Sequence, residues 1–391
     1  MSDLDPGSPA AASSSTPDLG AVLGAVAAAG AAAAAGAVAG LVAERVVVGR
    51  SLRRRSANPW GLGQVRGPHR LVETSDGVQL YVEIDERPLS GRAATGADLT
   101  VVFVHGYALN LDSWHYQRLG LRGSARLVFY DQRSHGRSGR SSPDHATLGR
   151  LGEDLRAVLD AVAPTGPVVL VGHSMGGMTV MQLADRDREL FRERVVGVAL
   201  LSTSSGRLAE VTLGAPAVVA RAMRRFVPQV VSALGRNAEL VERGRQISND
   251  LGVLITRVYA FGGPTPVELS DFALEMINAT PVDVLAQFYP VFLSHDALEA
   301  LDVLDGIETL VLVGEQDKLT PPDHSRQIVQ AVPGAQLVVL DPGGHLVMLE
   351  RPDDVNTHLF DLLDAAARAH TVDNPATPAT PATPATRRRK A

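Results

Sequence analysis

Val168-Val169-Leu170-Val171-Gly172-His173-Ser174-Met175-Gly176-Gly177 holds a strand, a sharp turn and the start of a helix in ten residues. Its four leading aliphatic residues read as a strand buried on both faces, and an apolar helix follows the last glycine. Between them a single hydroxyl sits among glycines in a strand-to-helix turn. A serine held so sharply adopts a strained backbone that points its oxygen out over the sheet edge, where flanking side chains would collide. The first N–H groups of the following helix aim at the same spot. Ser174 is therefore the candidate nucleophile, and Gly172, His173 and Gly176 support its turn.

From about Arg66 to Ala369 the chain alternates short β-branched runs with helical segments. This is the sequence sign of a mostly parallel sheet with helices on both faces, an α/β fold. Val78, Leu80, Val82 and Ile84 alternate and predict an early, half-exposed antiparallel strand. Continuous apolar runs at 99–104, 127–130, 168–171, 195–201, 309–313 and 337–340 predict strands buried on both faces. Leu148, Leu151, Leu155, Val158, Leu159 and Val162 recur mostly at steps of three and four, as in a helix packing one stripe. From 204 to 302 helical segments follow one another without a convincing strand, and this reads as an inserted helical lid between core segments 66–203 and 303–370. Five of the nine Phe (Phe226, Phe261, Phe272, Phe288, Phe292) and two of the six Tyr (Tyr259, Tyr289) fall in the lid. Most of them are expected to form the lid's own core, and some to line a pocket for an apolar substrate group.

Composition excludes several classes. With 37 Lys+Arg against 43 Asp+Glu, a net charge of −6 and 45% hydrophobic residues, the chain is neither disordered overall nor a basic nucleic-acid-coating protein. The absence of cysteine rules out disulfides, thiolate catalysis, Cys-ligated zinc and iron–sulfur clusters. Residues 1–18 carry three acids and no base, unlike a secretory signal, and read as a disordered N-terminus. Residues 19–43 are free of charge, and as a helix of about 38 Å they could cross a bilayer core of about 30 Å. Thirteen of them are Ala and five Gly, so insertion is marginal; the alternative is a peripheral Ala-rich helix. Arg45, Arg50 and Arg53 to Arg55 lie in a basic linker, 44–65, which would keep the catalytic part cytoplasmic if 19–43 spans a membrane. Without a span, a soluble cytoplasmic protein is expected. At the other end, 371–391 reads as a disordered tail of four Pro-Ala-Thr units closed by Arg387 to Lys390, a solvated basic end.

A serine hydroxyl needs a base to take its proton, and the base needs an acid to fix its tautomer. The run 309–313 leads to Asp317, and 337–340 leads through Asp341-Pro342-Gly343-Gly344 to His345, so all three candidates follow strand C-termini. Glu315 and Asp341 are rival acids; Asp341 before Pro342 reads better as a turn residue. His105, His115, His135, His173, His295, His324 and His358 are mostly explained as surface or local hydrogen-bonding residues, and no pair has convincing metal-ligand spacing. The oxyanion of an acyl-transfer intermediate needs two N–H donors. Met175, next after the nucleophile, supplies one. The run ending at Val104 continues as His105-Gly106-Tyr107, where Gly106 lets the backbone approach and the Tyr107 N–H supplies the other.

With His105-Gly106, the loop from Asp131 to Ser138, the Gly172–Gly177 turn, Asp317 and His345, the chain resembles a lidded α/β-hydrolase over roughly 71–363. Its Gly-His-Ser-Met-Gly-Gly turn is similar to that of monoacylglycerol-lipase-like esterases. Many relatives carry glycine where this chain has Ser134, in a loop that shapes the site. The resemblance implies a carboxylic ester hydrolase of the Ser-His-Asp type, needing no metal or organic cofactor. Its expected partner is a small-molecule ester, and the lid's aromatic residues lean towards a lipophilic one. Relatives with the same turn include peptidases, C–C bond hydrolases and haloperoxidase-like perhydrolases, and lid acids such as Glu268, Asp271 and Glu275 could recognise an amine. A hydrolase-fold scaffold or binding protein without turnover is the alternative outside enzymes.

Overall fold

The computed structural model describes residues 58, 60–87, 99–211 and 259–373. The expected disordered N-terminus 1–18, the charge-free 19–43, most of the basic linker, residues 212–258 of the expected lid with Phe226, and the Pro-Ala-Thr units lie outside the described residues. The elements below belong to a compact unit that begins at Trp60. Among the described residues, no helix is long and apolar enough to cross a membrane.

Eight strands form one sheet in the order β1-β2-β4-β3-β5-β6-β7-β8. They are β1 His69–Glu73, β2 Gln79–Asp85, β3 Thr100–Val104, β4 Arg126–Tyr130, β5 Val168–His173, β6 Val195–Leu201, β7 Glu308–Gly314 and β8 Gln336–Leu340. β1 and β2 are antiparallel to their neighbours, and the other pairs are parallel. Parallel neighbours need crossovers, which helices supply. Among the described residues the helices are α1 His115–Leu121, α2 Leu148–Val162, α3 Met175–Arg186, α4 Arg188–Arg194, α5 Val267–Ala279, α6 Val282–Leu293, α7 Pro322–Ala331, α8 Val347–Glu350 and α9 Pro352–Asp373.

The central strands bury alternate residues in two cores, as a sheet covered on both faces requires. Val101, Phe103, Val169, Val171, Ala199 and Leu201 meet α1 and α9 on one face. Val102, Val104, Leu170, Val198 and Leu200 meet α2 and α3 on the other. Helix α2 has the bounds its periodicity predicts, and Thr147 caps it by accepting from Arg150 N at 3.2 Å.

Three expectations are corrected. The early alternating strand is not half-exposed: Glu83 and Asp85, its polar positions, are buried because both pair with the buried Arg118, 2.7 Å from Asp85. It also lies inside β1, a strand without an apolar pattern, whose only buried residue is Val72. Conversely β8 is not buried on both faces, because it closes the far edge of the sheet. The helical tail of the core runs on to Asp373, past the predicted boundary at 370.

The aromatic residues between β6 and β7 also depart from expectation. Phe261 and Phe272 of that segment, with Leu269 and Met276, belong to the sheet's own core instead of a separate one, because α5 lays its apolar stripe against it. Phe288 joins a third cluster with Met175, Met178, Leu148, Leu151 and Val284, against which Tyr107, Val291 and Phe292 pack.

Candidate active site

The site gathers at the C-terminal ends of β3, β5, β7 and β8. Gly172 lies level with Val104 on β3, and His173 with Leu201 on β6, so β5 delivers Ser174 to the middle of the sheet edge. The Ser174 backbone takes φ 51° and ψ −117°, a conformation that L side chains rarely adopt. It is held there from both sides: Ser174 N donates to Leu201 O at 3.0 Å, and Thr203 Oγ1 donates to Ser174 O at 2.7 Å. Crowding explains the neighbouring glycine. A Cβ on Gly176 would stand 2.0 Å from the carbonyl oxygen of Val104.

His345 lies in the loop after β8, with Nε2 3.0 Å from Ser174 Oγ and Nδ1 2.9 Å from Asp317 Oδ2. A carboxylate only accepts, so Nδ1 carries the proton and Nε2 presents its lone pair to the serine hydroxyl. Asp317, after β7, also accepts from Leu319 N and Thr320 N at 2.9 Å each and from Thr320 Oγ1 at 2.8 Å. Burial opposes its charge, but the His345 ring and these donors outweigh it and hold the carboxyl below its ordinary range. The structure thus brings Ser174, Asp317 and His345 into one hydrogen-bonded line. It leaves Asp341 exposed, where it accepts from Gln316 Nε2 at 2.8 Å.

The loop after β3 abuts the nucleophile: a Cβ on Gly106 would stand 2.6 Å from His173 Nδ1 and 3.2 Å from Ser174 Cβ. His105 Nδ1 donates to Gly106 O at 2.8 Å, and its Nε2 accepts from Gln132 N at 2.9 Å, which orders this loop against the one after β4. Tyr107 follows, and its phenol donates to Leu285 O on α6 while its ring meets Phe292 edge-on at 5.0 Å. Met175 opens α3, where the first N–H groups have no intrahelical partner.

Of the histidines read as surface or local hydrogen-bonding residues, His105 and His135 do bond locally, to Gly106 O at 2.8 Å and Arg133 O at 2.9 Å, but several that could have been surface residues are internal. His105, His115, His135, His173 and His295 are all buried. Burial pushes His105 and His173 down to about 3 and His135 down to about 4, so these three rings are neutral near pH 7. Ser134 takes φ 63°, the left-handed region that explains the glycine of many relatives. Here its hydroxyl accepts from Ser141 N at 3.0 Å.

Residues that sequence reasoning missed act through others. Thr320 braces Asp317, and only its position three residues after an Asp hinted at an Asx-type turn. Gln132 ties Thr179 of α3 to His105, with Thr179 Oγ1 2.9 Å from Gln132 Oε1. Arg133, fully buried, clasps Asp154 of α2 at 2.6 Å and Asp76 at 2.9 Å, anchoring the loop after β4. Among the described residues, no cluster of three or more His, Cys, Asp or Glu could hold a metal ion.

Comparison with known proteins agrees with this architecture. A family model described as the alpha/beta hydrolase fold matches residues 100–352. The chain is similar to the dihydrolipoyllysine-residue acetyltransferase component of the acetoin cleaving system of Pseudomonas putida, 26% identical over 67% of this chain. It spans only 63% of that relative's length. It is also similar to an sn-1-specific diacylglycerol lipase of Mus musculus, 26% identical over 65% of this chain and 77% of that protein. Among solved structures, a hydrolase from Pseudomonas aeruginosa PA01 aligns with TM-score 0.58 and 25% identity, over 76% of this chain and 98% of that one.

Proposed function

The chain belongs to the α/β-hydrolase family, and we propose that it is a serine hydrolase that cleaves carboxylic esters through an acyl-Ser174 intermediate. The observation that carries this reading is the line Ser174 Oγ, His345 Nε2, His345 Nδ1, Asp317 Oδ2, with gaps of 3.0 and 2.9 Å. In the proposed cycle His345 takes the Ser174 proton as the oxygen attacks the ester carbonyl. The N–H groups of Tyr107 and Met175 receive the developing oxyanion. His345 then passes its proton to the leaving alcohol, and Asp317 stabilises the imidazolium meanwhile. Water, deprotonated by the same ring, releases the acid and restores Ser174.

A lipophilic acyl group is favoured because Met175 is packed into an apolar cluster with Val284 and Phe288, against which Tyr107 and Phe292 rest. In this proposal α6, which supplies Val284, Phe288, Val291 and Phe292 to the wall, belongs to the inserted lid. Glu268, Asp271 and Glu275 are exposed on α5, opposite the face it buries, so amine recognition by a peptidase gains no support from them. Delivery to a membrane by 19–43, with the catalytic part cytoplasmic, belongs to the same proposal and rests on the sequence.

The test is hydrolysis of p-nitrophenyl esters from acetate to palmitate by the full chain and by Ser174→Ala. Turnover that vanishes in the variant, with a preference for longer chains, supports the reading. Equal silence of both proteins, with no labelling of Ser174 by a fluorophosphonate, rejects it in favour of a binding protein.

A further inference from the structure

The loop that carries His345 is pinned at four successive residues. Gly343 N donates to Gln316 Oε1 at 2.8 Å, Gly344 N to Glu350 Oε2 at 2.7 Å, and Leu346 N to Ala260 O at 2.8 Å, while His345 O accepts from His173 Nε2 at 2.9 Å. Three of these restraints come from within the core, or from Glu350 a few residues on. The fourth comes from Ala260, where the segment between β6 and β7 returns.

Glu350 joins the two. Besides Gly344 N, its carboxylate accepts from Gly262 N at 3.0 and 3.1 Å and from Gly263 N at 3.0 Å. Among the described residues no basic side chain pairs with it, and neighbouring Arg351 pairs with Asp354 instead. Its charge is used on backbone N–H groups, where charge-assisted bonds are roughly twice as strong as neutral ones. The two chains it joins touch directly: a Cβ on Gly262 would stand 2.4 Å from the carbonyl carbon of Gly343, and one on Gly344 would stand 2.3 Å from Gly262 N.

We propose that Glu350 is a positioning residue for His345, fastening the loop of the base to residues 262–263 so that the segment between β6 and β7 sets where the base stands. This rests on the serine-hydrolase reading. Without the carboxylate, Gly344 N loses its partner and the tie to residues 262–263 is cut, so the loop keeps three of its four restraints and the His345 backbone gains play between them. A misplacement of about 1 Å at a proton-transferring group costs on the order of 100-fold in rate. Glu350 touches neither Ser174 nor Asp317, so the loss falls on kcat and not on KM.

The experiment compares the full chain with Glu350→Gln, Glu350→Asp and Ser174→Ala on p-nitrophenyl butyrate, with rates expressed per site labelled by a fluorophosphonate. Gln offers one acceptor oxygen and turns a donor towards N–H groups, so kcat is expected to fall by about 10- to 100-fold with KM within about twofold. Asp keeps the charge but is one methylene too short to span both chains, so its kcat falls between Gln and wild type. The proposal is overturned if Gln keeps kcat within about twofold per labelled site, if the loss appears in KM, or if Asp is no better than Gln. Should Gln fail to fold, an Asp variant equal to wild type overturns it. A wild-type chain that neither labels nor turns over rejects the hydrolase reading itself, an outcome distinct from all of these.

Discussion

The Nε2–H of His173 donates to the backbone carbonyl of His345 over 2.9 Å, so the residue before the proposed nucleophile holds the residue proposed to activate it. The ring is fully buried, 4.9 Å from the His345 ring and edge-on to Trp114 at 6.4 Å, and burial keeps it neutral. His173→Ala leaves that carbonyl unpaired and a hollow against Trp114. Expected are a loss of about 2–4 kcal/mol in urea unfolding and a fall in ester turnover per labelled site. An unchanged urea midpoint would show that the bond is dispensable.

Ser174 stores backbone strain at φ 51°. Ser174→Gly removes the nucleophile and lets a residue without Cβ take the same conformation. The variant is expected to be inactive yet more stable than wild type by about 1 kcal/mol, the relieved strain less the entropy cost of glycine. Differential scanning calorimetry of the two proteins checks this, and a lower Tm for the variant would refute it.

Gly176→Ala sets a methyl 2.0 Å from Val104 O and 2.6 Å from Val104 C, both backbone atoms that cannot swing aside. The N-terminus of α3 must separate from β3, and Met175 N moves with it. Unfolding free energy is expected to fall by about 3 kcal/mol and kcat by about 100-fold, read from denaturation and ester kinetics on one preparation.

Acid should unfold the protein steeply. In the unfolded chain His105, His135 and His173 bind protons below their ordinary 6.5, whereas in the fold they stay neutral down to about 3 to 4. The stability linked to these rings is therefore full above pH 6.5 and is lost as pH falls towards those values. Asp131 acts in the opposite sense: burial pushes it up to about 6, so the folded state gains a proton first and offsets one histidine. These four groups together take up about two net protons on unfolding, a contribution of roughly 3 kcal/mol lost per pH unit between pH 6 and 4.5, and His115, His295 and His324, which burial also pushes down, act in the same sense. Guanidinium titrations at pH 7, 5.5 and 4.5 measure it, and a flat profile would contradict the neutral burial of these rings.

Much of the architecture was legible in residue order. The six apolar runs all lie on strands, and α2 begins and ends where its stripe does, because burial on one or two faces imposes a local period of 3.6 or 2. The strained turn was equally legible, since glycine is demanded wherever backbone comes within reach of backbone. Strand β1 was not, because an edge strand with four exposed residues carries no apolar pattern. The burial of His173 and His295 was not legible for a related reason: their partners, His345 O and Ser204 O, are remote in sequence.

Residue order alone carried the class of fold, the turn that presents Ser174, and the order in which Ser174, Asp317 and His345 follow strand ends. Folding added that β3 lies between β4 and β5, that Glu350 reaches Gly262 and Gly263 across 87 or more residues, and that Tyr107 reaches Leu285 across 178. Periodicity reports whether a residue faces a core. The partner a polar group meets there is chosen by chain segments that the fold alone brings together, and their pairing leaves no local trace.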